Sequence, residues 1–343
     1  MSGTDSQQPV VDKKRKSKET VANPPNKRMK HPHPSLPDFI KHPTFWADDG
    51  SVLVQIEDVR MRLHRSRLKT NSTWFAELFD GKISGGIYDP DIMEQDDDGL
   101  PLYRLDMMDV KLNDFEVLLT AMDNALDFFL EKPTFSCIAA LIRVSSTLQF
   151  PRFFSYAESI LDSQFSRMLS PPFSVKEAVE AIDLGRRYSH PQLVKRAFYE
   201  LARVPGQFRL LVTPNEDQLP KGSSPLLERL DVGDFAILLD LQRELSRTWL
   251  ELTDLPPIGC TQPGGVCASS SPSKTWEIVH GTGIMKEHQL DPMSGICKLA
   301  EIDWKGNGYC DGCRNERIRF LTEQRTKLWV EKMETWLNLQ VPL

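Results

Sequence analysis

The stretch from Asp48 to Phe79 constrains the fold most, because its hydrophobic period changes within one short run. Val52, Val54 and Ile56 alternate with Leu53 and Gln55, which is the pattern of a strand partly buried on both faces. Glu57-Asp58 is a polar break of turn length, and Arg60 and Arg62 then alternate with Met61 and Leu63 in a second strand. From His64 onward Leu68, Phe75, Leu78 and Phe79 fit helical turns around the polar break Thr70-Asn71-Ser72. A strand, a tight turn, a second strand and a helix are therefore expected here.

A chain of 343 residues holds roughly two domains on the usual length prior and has ample material for a core. Hydrophobic residues make up 40% and charged residues 26%, the balance of an ordinary folded protein. No run reaches the roughly 18 apolar residues needed to span a bilayer. The start, MSGTDSQQPVVDKKRK, has no apolar core of a secretory signal, so an intracellular chain is expected. Charge is unevenly spread. Of 42 basic and 48 acidic residues, eight and four lie in residues 1–38, leaving 34 and 44 for the rest. An acidic body with a basic tail argues against direct gripping of nucleic-acid phosphates.

Residues 1–38 are rich in Lys, Pro, Ser and Asn without apolar periodicity and are expected to be a disordered tail. They contain two basic blocks, Lys13-Lys14-Arg15-Lys16 and Lys27-Arg28-Met29-Lys30, separated by ten residues that include Pro24-Pro25. Two such clusters on an extended linker resemble a bipartite nuclear localisation signal read by the acidic groove of an import receptor. The expected address is nuclear, with the cytoplasm as a second compartment.

Residues 39–165 read as a first domain. After the opening run, Gly81–Leu100 is a long acidic loop, Leu102–Leu105 a short strand, and Asn113 with Glu116 a capping box for the next helix. Two further helices follow through Ile138–Leu148 and Phe154–Phe165, with Cys137 expected in the core. Residues 171–255 read as a helical extension: Ser174 and Glu177 form a capping box, Gly185 and Pro191 punctuate, and longer helices follow near Leu193–Leu201 and Phe235–Trp249. Residues 256–317 are poor in periodicity and rich in Gly, Pro, Ser and Cys, and residues 318–339 close the chain as a helix.

Five of the six cysteines fall in that last part. Cys310-Asp311-Gly312-Cys313 can supply two thiolates to one metal ion, and a structural site needs a second pair. Cys260 and Cys267 are the first choice, although six intervening residues exceed the usual spacing; Cys297, His280 and His288 are substitutes. One structural zinc is the cofactor this suggests, and a segment with so little apolar content is hard to order by burial alone. A zinc-dependent enzyme would need an open ligand position and a nearby acid or base, for which Glu277, His280, Glu287 and His288 are close in sequence. No other catalytic motif is visible, and His64 at a strand-to-helix junction has no partners for catalysis, so an enzyme is not expected.

The strand–turn–strand–His-Arg–helix run, with His64, Leu68, Ser72, Phe75 and Phe79, resembles the opening of the BTB/POZ domain. The β-β-α-β-α-α-α order over about 120 residues is similar to that family, and the whole layout resembles fungal, basidiomycete-like members. The resemblance implies an α+β fold, a small sheet capped by helices, followed by the α-helical region with its Cys-rich segment. It implies pairing with a second copy or another BTB protein through the first helix and nearby strands, over roughly 2,000 Å² or more. Leu63, Leu68, Trp74, Phe75 and Leu78 are the candidate interface residues. Family members serve as adaptors of cullin-based ubiquitin ligases or as nuclear regulators working with corepressors. The adaptor class carries an apolar–any–acidic triplet that Phe135–Ala140, FSCIAA, lacks.

Overall fold

Val52–Ile56 (β2) sits at the centre of a four-stranded mixed sheet and none of its five residues is more than 5% exposed. The computed structural model describes residues 39–83, 95–96, 99–105, 108–168, 171–203, 230–260 and 267–338. The basic tail, with Lys13, Lys14, Arg15, Lys16, Lys27, Arg28 and Lys30, and most of the acidic loop lie outside them.

Strand order is β1-β3-β2-β4, with β1 Ile40–Trp46, β3 Val59–Leu63 and β4 Leu102–Arg104. β2 and β3 form an antiparallel hairpin in which Val54 faces Met61 and Ile56 faces Val59. Its two-residue turn places Glu57 at φ 55°, so the polar break becomes a left-handed turn. β4 runs parallel to β2 and β1 parallel to β3. The sequence reading missed β1. Pro43 lowers the strand signal, yet β1 is an edge strand with an irregular register between Lys41 and Trp46, where proline is tolerated.

Two short helices, α1 Arg65–Asn71 and α2 Thr73–Phe79, follow β3. Ser72 separates them: its hydroxyl accepts from the Phe75 amide at 2.9 Å and donates to the Leu148 carbonyl at 2.6 Å. Helices α3 Leu112–Asp123, α4 Ala125–Leu130, α5 Phe135–Thr147 and α6 Pro151–Ile160 pack around the sheet, and α6 runs on into a π-helical turn, Leu161–Phe165. The expected capping box at Asn113 and Glu116 does not form. The helix starts at Leu112, and Glu116 instead places Oε1 2.8 Å from His42 Nε2, tying α3 to β1. Cys137 is half-buried in the first turn of α5 rather than in the core, with Thr134 3.2 Å from its sulfur.

The helical region begins with α7 Val175–Arg187, whose Ser174–Glu177 capping box is present, and α8 Pro191–Ala202. Pro191 opens α8 at its first position. Gly185 is not a break: it lies inside α7, where an added Cβ would come within 2.6 Å of Val194 Cγ2 on α8. Arg143 on α5 donates to both carboxylate oxygens of Asp114 on α3 at 2.7 Å and also pairs with Glu180 on α7. The long helix α9, Val232–Thr253, follows.

Residues 256–317, expected to lack periodic structure, contain α10 Pro272–Gly281, α11 Ile284–Glu287 and α12 Pro292–Ala300. Pro272 and Pro292 are each the first residue of a helix, capped by Ser271 and Asp291. The closing helix starts earlier than its apolar pattern indicated. It comprises α13 Asp311–Lys327, a π-helical turn Leu328–Lys332 and α14 Met333–Trp336. Lys195 on α8 reaches Glu334 on α14 at 2.8 Å, and Tyr199 donates to Asp291 at 2.5 Å. One continuous apolar cluster runs from Val52 to Leu337.

Candidate metal centre

Cys310 is the N-cap of α13. Its sulfur accepts from the Cys313 amide at 3.4 Å, so Cys310 and Cys313 are the N-cap and third residues of a helix. The two thiols therefore sit where the unpaired amides and the positive end of the helix dipole favour negative charge. Asp311 and Gly312 form the first helical turn between them, not a separate loop.

The second pair comes from two segments laid against that helix start. Cys267 precedes the short 3₁₀ turn Ala268–Ser270, and the Ala268 amide donates to the Gly308 carbonyl at 3.0 Å. Gly308 has φ 89°, a left-handed conformation suited to glycine at this crossing. The Ile258 amide donates to the Ser269 carbonyl at 3.1 Å, which brings Cys260 alongside. The Cys310 amide points at Cys267 Sγ at 3.3 Å, and Cys260 Sγ lies 3.7 Å from Cys310 Sγ. All four sulfurs lie within 4.8 Å of one another. Three of these cysteines are half-buried, Cys313 is buried, and none is in a disulfide.

The environment splits the thiols. Burial opposes ionisation of Cys267, but hydrogen bonds from Ser269 and the Cys310 amide outweigh it and bring the thiol down to about 6. Burial pushes the Cys313 thiol up to about 12, helped by the neighbouring cysteines and opposed by Ser269. In the absence of a cation, four close sulfurs cannot all carry charge. A cation bound between them would remove that conflict, and the four sulfurs are close enough together to hold one metal ion.

The structure thus brings together Cys260, Cys267, Cys310 and Cys313 and leaves the substitutes outside. Cys297 accepts from Arg325 at 2.9 Å, His280 stacks on Trp276 at 4.0 Å, and the His288 ring is 6.5 Å from that of Trp249. Sequence reasoning missed Ser269 and the capping role of Cys310. The sequence carried no capping signal for the latter, because Ser, Thr, Asp or Asn with Glu or Gln three residues on marks a helix start and cysteine is neither.

Elsewhere, Leu68, Trp74, Phe75 and Leu78 are all buried by the chain itself, with Phe75 at 0% exposure. Leu63 is half-buried and lines, with Phe45, His64, Leu119 and Met122, a cavity of about 140 Å³. Buried side chains offer a partner little surface, so four of the five residues expected at an interface act in the core of this chain. Exposed apolar side chains do occur nearby: Leu126 and Leu130, one turn apart on α4, are 71% and 74% exposed. His64 Nε2 lies 2.9 Å from Asp49 Oδ1, a structural contact at the strand-to-helix junction. No described helix is long and apolar enough to cross a membrane. Compared with protein-family models and with curated proteins, the chain matches none.

Proposed function

We propose that the chain is a protein-interaction protein. Residues 39–165 act as a BTB/POZ-like pairing module, and the helical region attached to it is held at its far end by one structural zinc. The basic tail directs the protein to the nucleus, where it serves as a scaffold or regulator. The pairing reading is supported by the sheet order, with β2 between antiparallel β3 and parallel β4 and two short helices after His64. It is supported further by the exposed Leu126–Leu130 pair. Sedimentation of the full chain tests it: a mass twice that of the monomer at micromolar concentration is expected, and a concentration-independent monomer would overturn it. Pull-down from nuclear extract separates the two outlets, corepressor recruitment and the cullin-adaptor alternative.

The observation that carries the zinc reading is the four-sulfur cluster. Tetrahedral zinc with bonds of about 2.3 Å places its sulfurs about 3.8 Å apart, close to the 3.7 Å between Cys260 and Cys310. Four thiolates close the coordination shell and favour a structural ion over a catalytic one. Bound zinc supplies a cross-link between the 256–260 segment, the 267–270 turn and α13. Elemental analysis of purified protein should give one zinc per chain, falling towards zero in Cys310→Ser. An open three-ligand site with a bound water in X-ray absorption would support the enzyme alternative instead.

A further inference from the structure

The buried stripe of α13 is Cys313, Arg317 and Leu321, each one turn from the last. An arginine in such a stripe is unusual, and Arg317 is 0% exposed. Its Nη2 donates to the Pro256 carbonyl at 2.8 Å, and its guanidinium carbon lies 5.8 Å from the Trp304 ring centre. Nε and Nη1 are buried with no acceptor among the described residues. The nearest carboxylates in sequence are committed elsewhere: Glu316 accepts from Arg319 at 2.5 Å, Glu323 pairs with the same arginine at 3.9 Å, and Asp311 pairs with Lys305 at 3.0 Å. Arginine does not shed its proton, so a fixed positive charge stands in the interior without a described counter-ion.

The four-cysteine centre has the opposite imbalance. A divalent ion in four thiolates leaves two surplus negative charges, which a partly buried site must offset. Helical side chains lean towards the N-terminus, so Arg317 leans towards the turn that carries Cys313. Its hydrogen bond reaches Pro256, four residues before Cys260. It is therefore attached to two of the strands of chain that supply ligands.

We infer that Arg317 is the counter-cation of the four-cysteine metal centre, a positioning residue that balances the charge of the loaded site and joins α13 to the 256–260 segment. This rests on the zinc reading above. The cost of its burial is then offset only when the ion is bound, which couples metal loading to order in this end of the molecule.

The test uses the full chain, zinc alone as the probe, and competition with a chromophoric chelator. Arg317→Met keeps the stem and removes the charge; Arg317→Lys keeps a charge; Phe320→Leu, which alters packing beside Arg317, is the control. Zinc affinity should fall about 10- to 100-fold in Arg317→Met, the range typical of outer-shell partners. It should fall less in Arg317→Lys and stay unchanged in Phe320→Leu. The thiolate-to-metal absorption band of the cobalt-loaded chain should shift in Arg317→Met alone, while the metal-free Arg317→Met chain unfolds no more readily than the metal-free wild type. Wild-type affinity with an unmoved cobalt band in Arg317→Met would overturn the inference and leave the zinc reading standing. So would an Arg317→Met chain equally destabilised with and without metal. A wild-type chain that takes up no zinc would overturn both.

Discussion

β2 and α13 are ordered by different means. All five residues of β2 are buried: Val52, Val54 and Ile56 belong to the apolar cluster, and Gln55 on the other face accepts from Arg60 Nε at 2.7 Å. Of the seventeen residues of α13 only Cys313, Arg317 and Leu321 are buried, one of them charged and one a thiol. Removal of apolar area from water offsets the entropy of ordering the first, at roughly 25 cal/mol per Å². That term is small for the second. There the start of the helix is held instead by a cysteine cap, amides aimed at sulfur, and a cluster that could hold a cation. The contrast implies that the two ends of the molecule respond to different insults.

On the proposed zinc reading, removing the ion should have the largest effect. Structural zinc contributes about 10–16 kcal/mol of apparent folding free energy in isolated zinc-finger peptides, more than a core substitution removes. Stripping metal with a chelator, or replacing Cys310 and Cys313 by Ser, should abolish amide-exchange protection from α10 through α13. The amides of β2 and β3 should keep theirs. Equal loss at both ends would break the comparison.

The converse perturbation is Phe75→Ala. Phe75 is 0% exposed, and its ring centre lies 4.8, 5.5 and 6.1 Å from those of Trp74, Phe79 and Phe150. The truncation leaves a cavity among aromatics that cannot all collapse into it, so about 3–5 kcal/mol of stability should be lost in denaturant titration. Zinc affinity measured under folding conditions should not move.

The same contrast explains what the sequence could and could not tell. Val52–Leu63 was legible because burial writes a period of two into the residues, and tight hairpin geometry leaves a two-residue polar gap. The four clustered cysteines were legible as residue types, since a CxxC pair invites a second pair. Their folding context was not: Pro272 and Pro292 look like breaks but begin helices, a distinction made by the caps Ser271 and Asp291 rather than by periodicity. Glu116 could have capped α3 or reached His42, and only the placement of β1 beside it decides. Leu68, Trp74, Phe75 and Leu78 show the same limit, because a core face and a partner face share one hydrophobic pattern.

Between the two ends, Asp291 ties α12 to α8. Burial disfavours its charge, but the Tyr199 hydroxyl, Ser294 and the Arg203 guanidinium outweigh that and hold the carboxyl below its usual range. A carboxyl depressed in the folded state stabilises fully above its unfolded value of about 3.9, and that contribution is lost as pH falls through the lower folded value. Asp291→Asn should therefore cost about 2 kcal/mol at neutral pH, in line with hydrogen bonds to a charged group. Below pH 4 the variant's stability should fall less steeply than that of the wild type. Parallel acid limbs would show that the tie is not electrostatic.

The smallest expected effect is at Ser174, and it tests whether the comparison is one of mechanism or merely of distance. Its hydroxyl oxygen accepts from the Glu177 amide at 3.3 Å, and Glu177 Oε2 accepts from the Ser174 amide at 2.9 Å. This is an exposed, purely local cap on the helix whose Glu180 pairs with Arg143 on α5. It lies outside both the sheet core and the cysteine cluster. Ser174→Ala removes one acceptor for an otherwise unpaired amide and should cost about 1 kcal/mol, whereas Ser174→Asp, which keeps an acceptor, should cost less. Because the cap orders only the first turn of α7, fraying should be confined to amides near Val175–Ala178. Zinc affinity and protection in β2 should both stay at wild-type values. If this single cap instead loosened the cysteine end, order there would be passed down the helices from α7, and the cation would be a passenger on it.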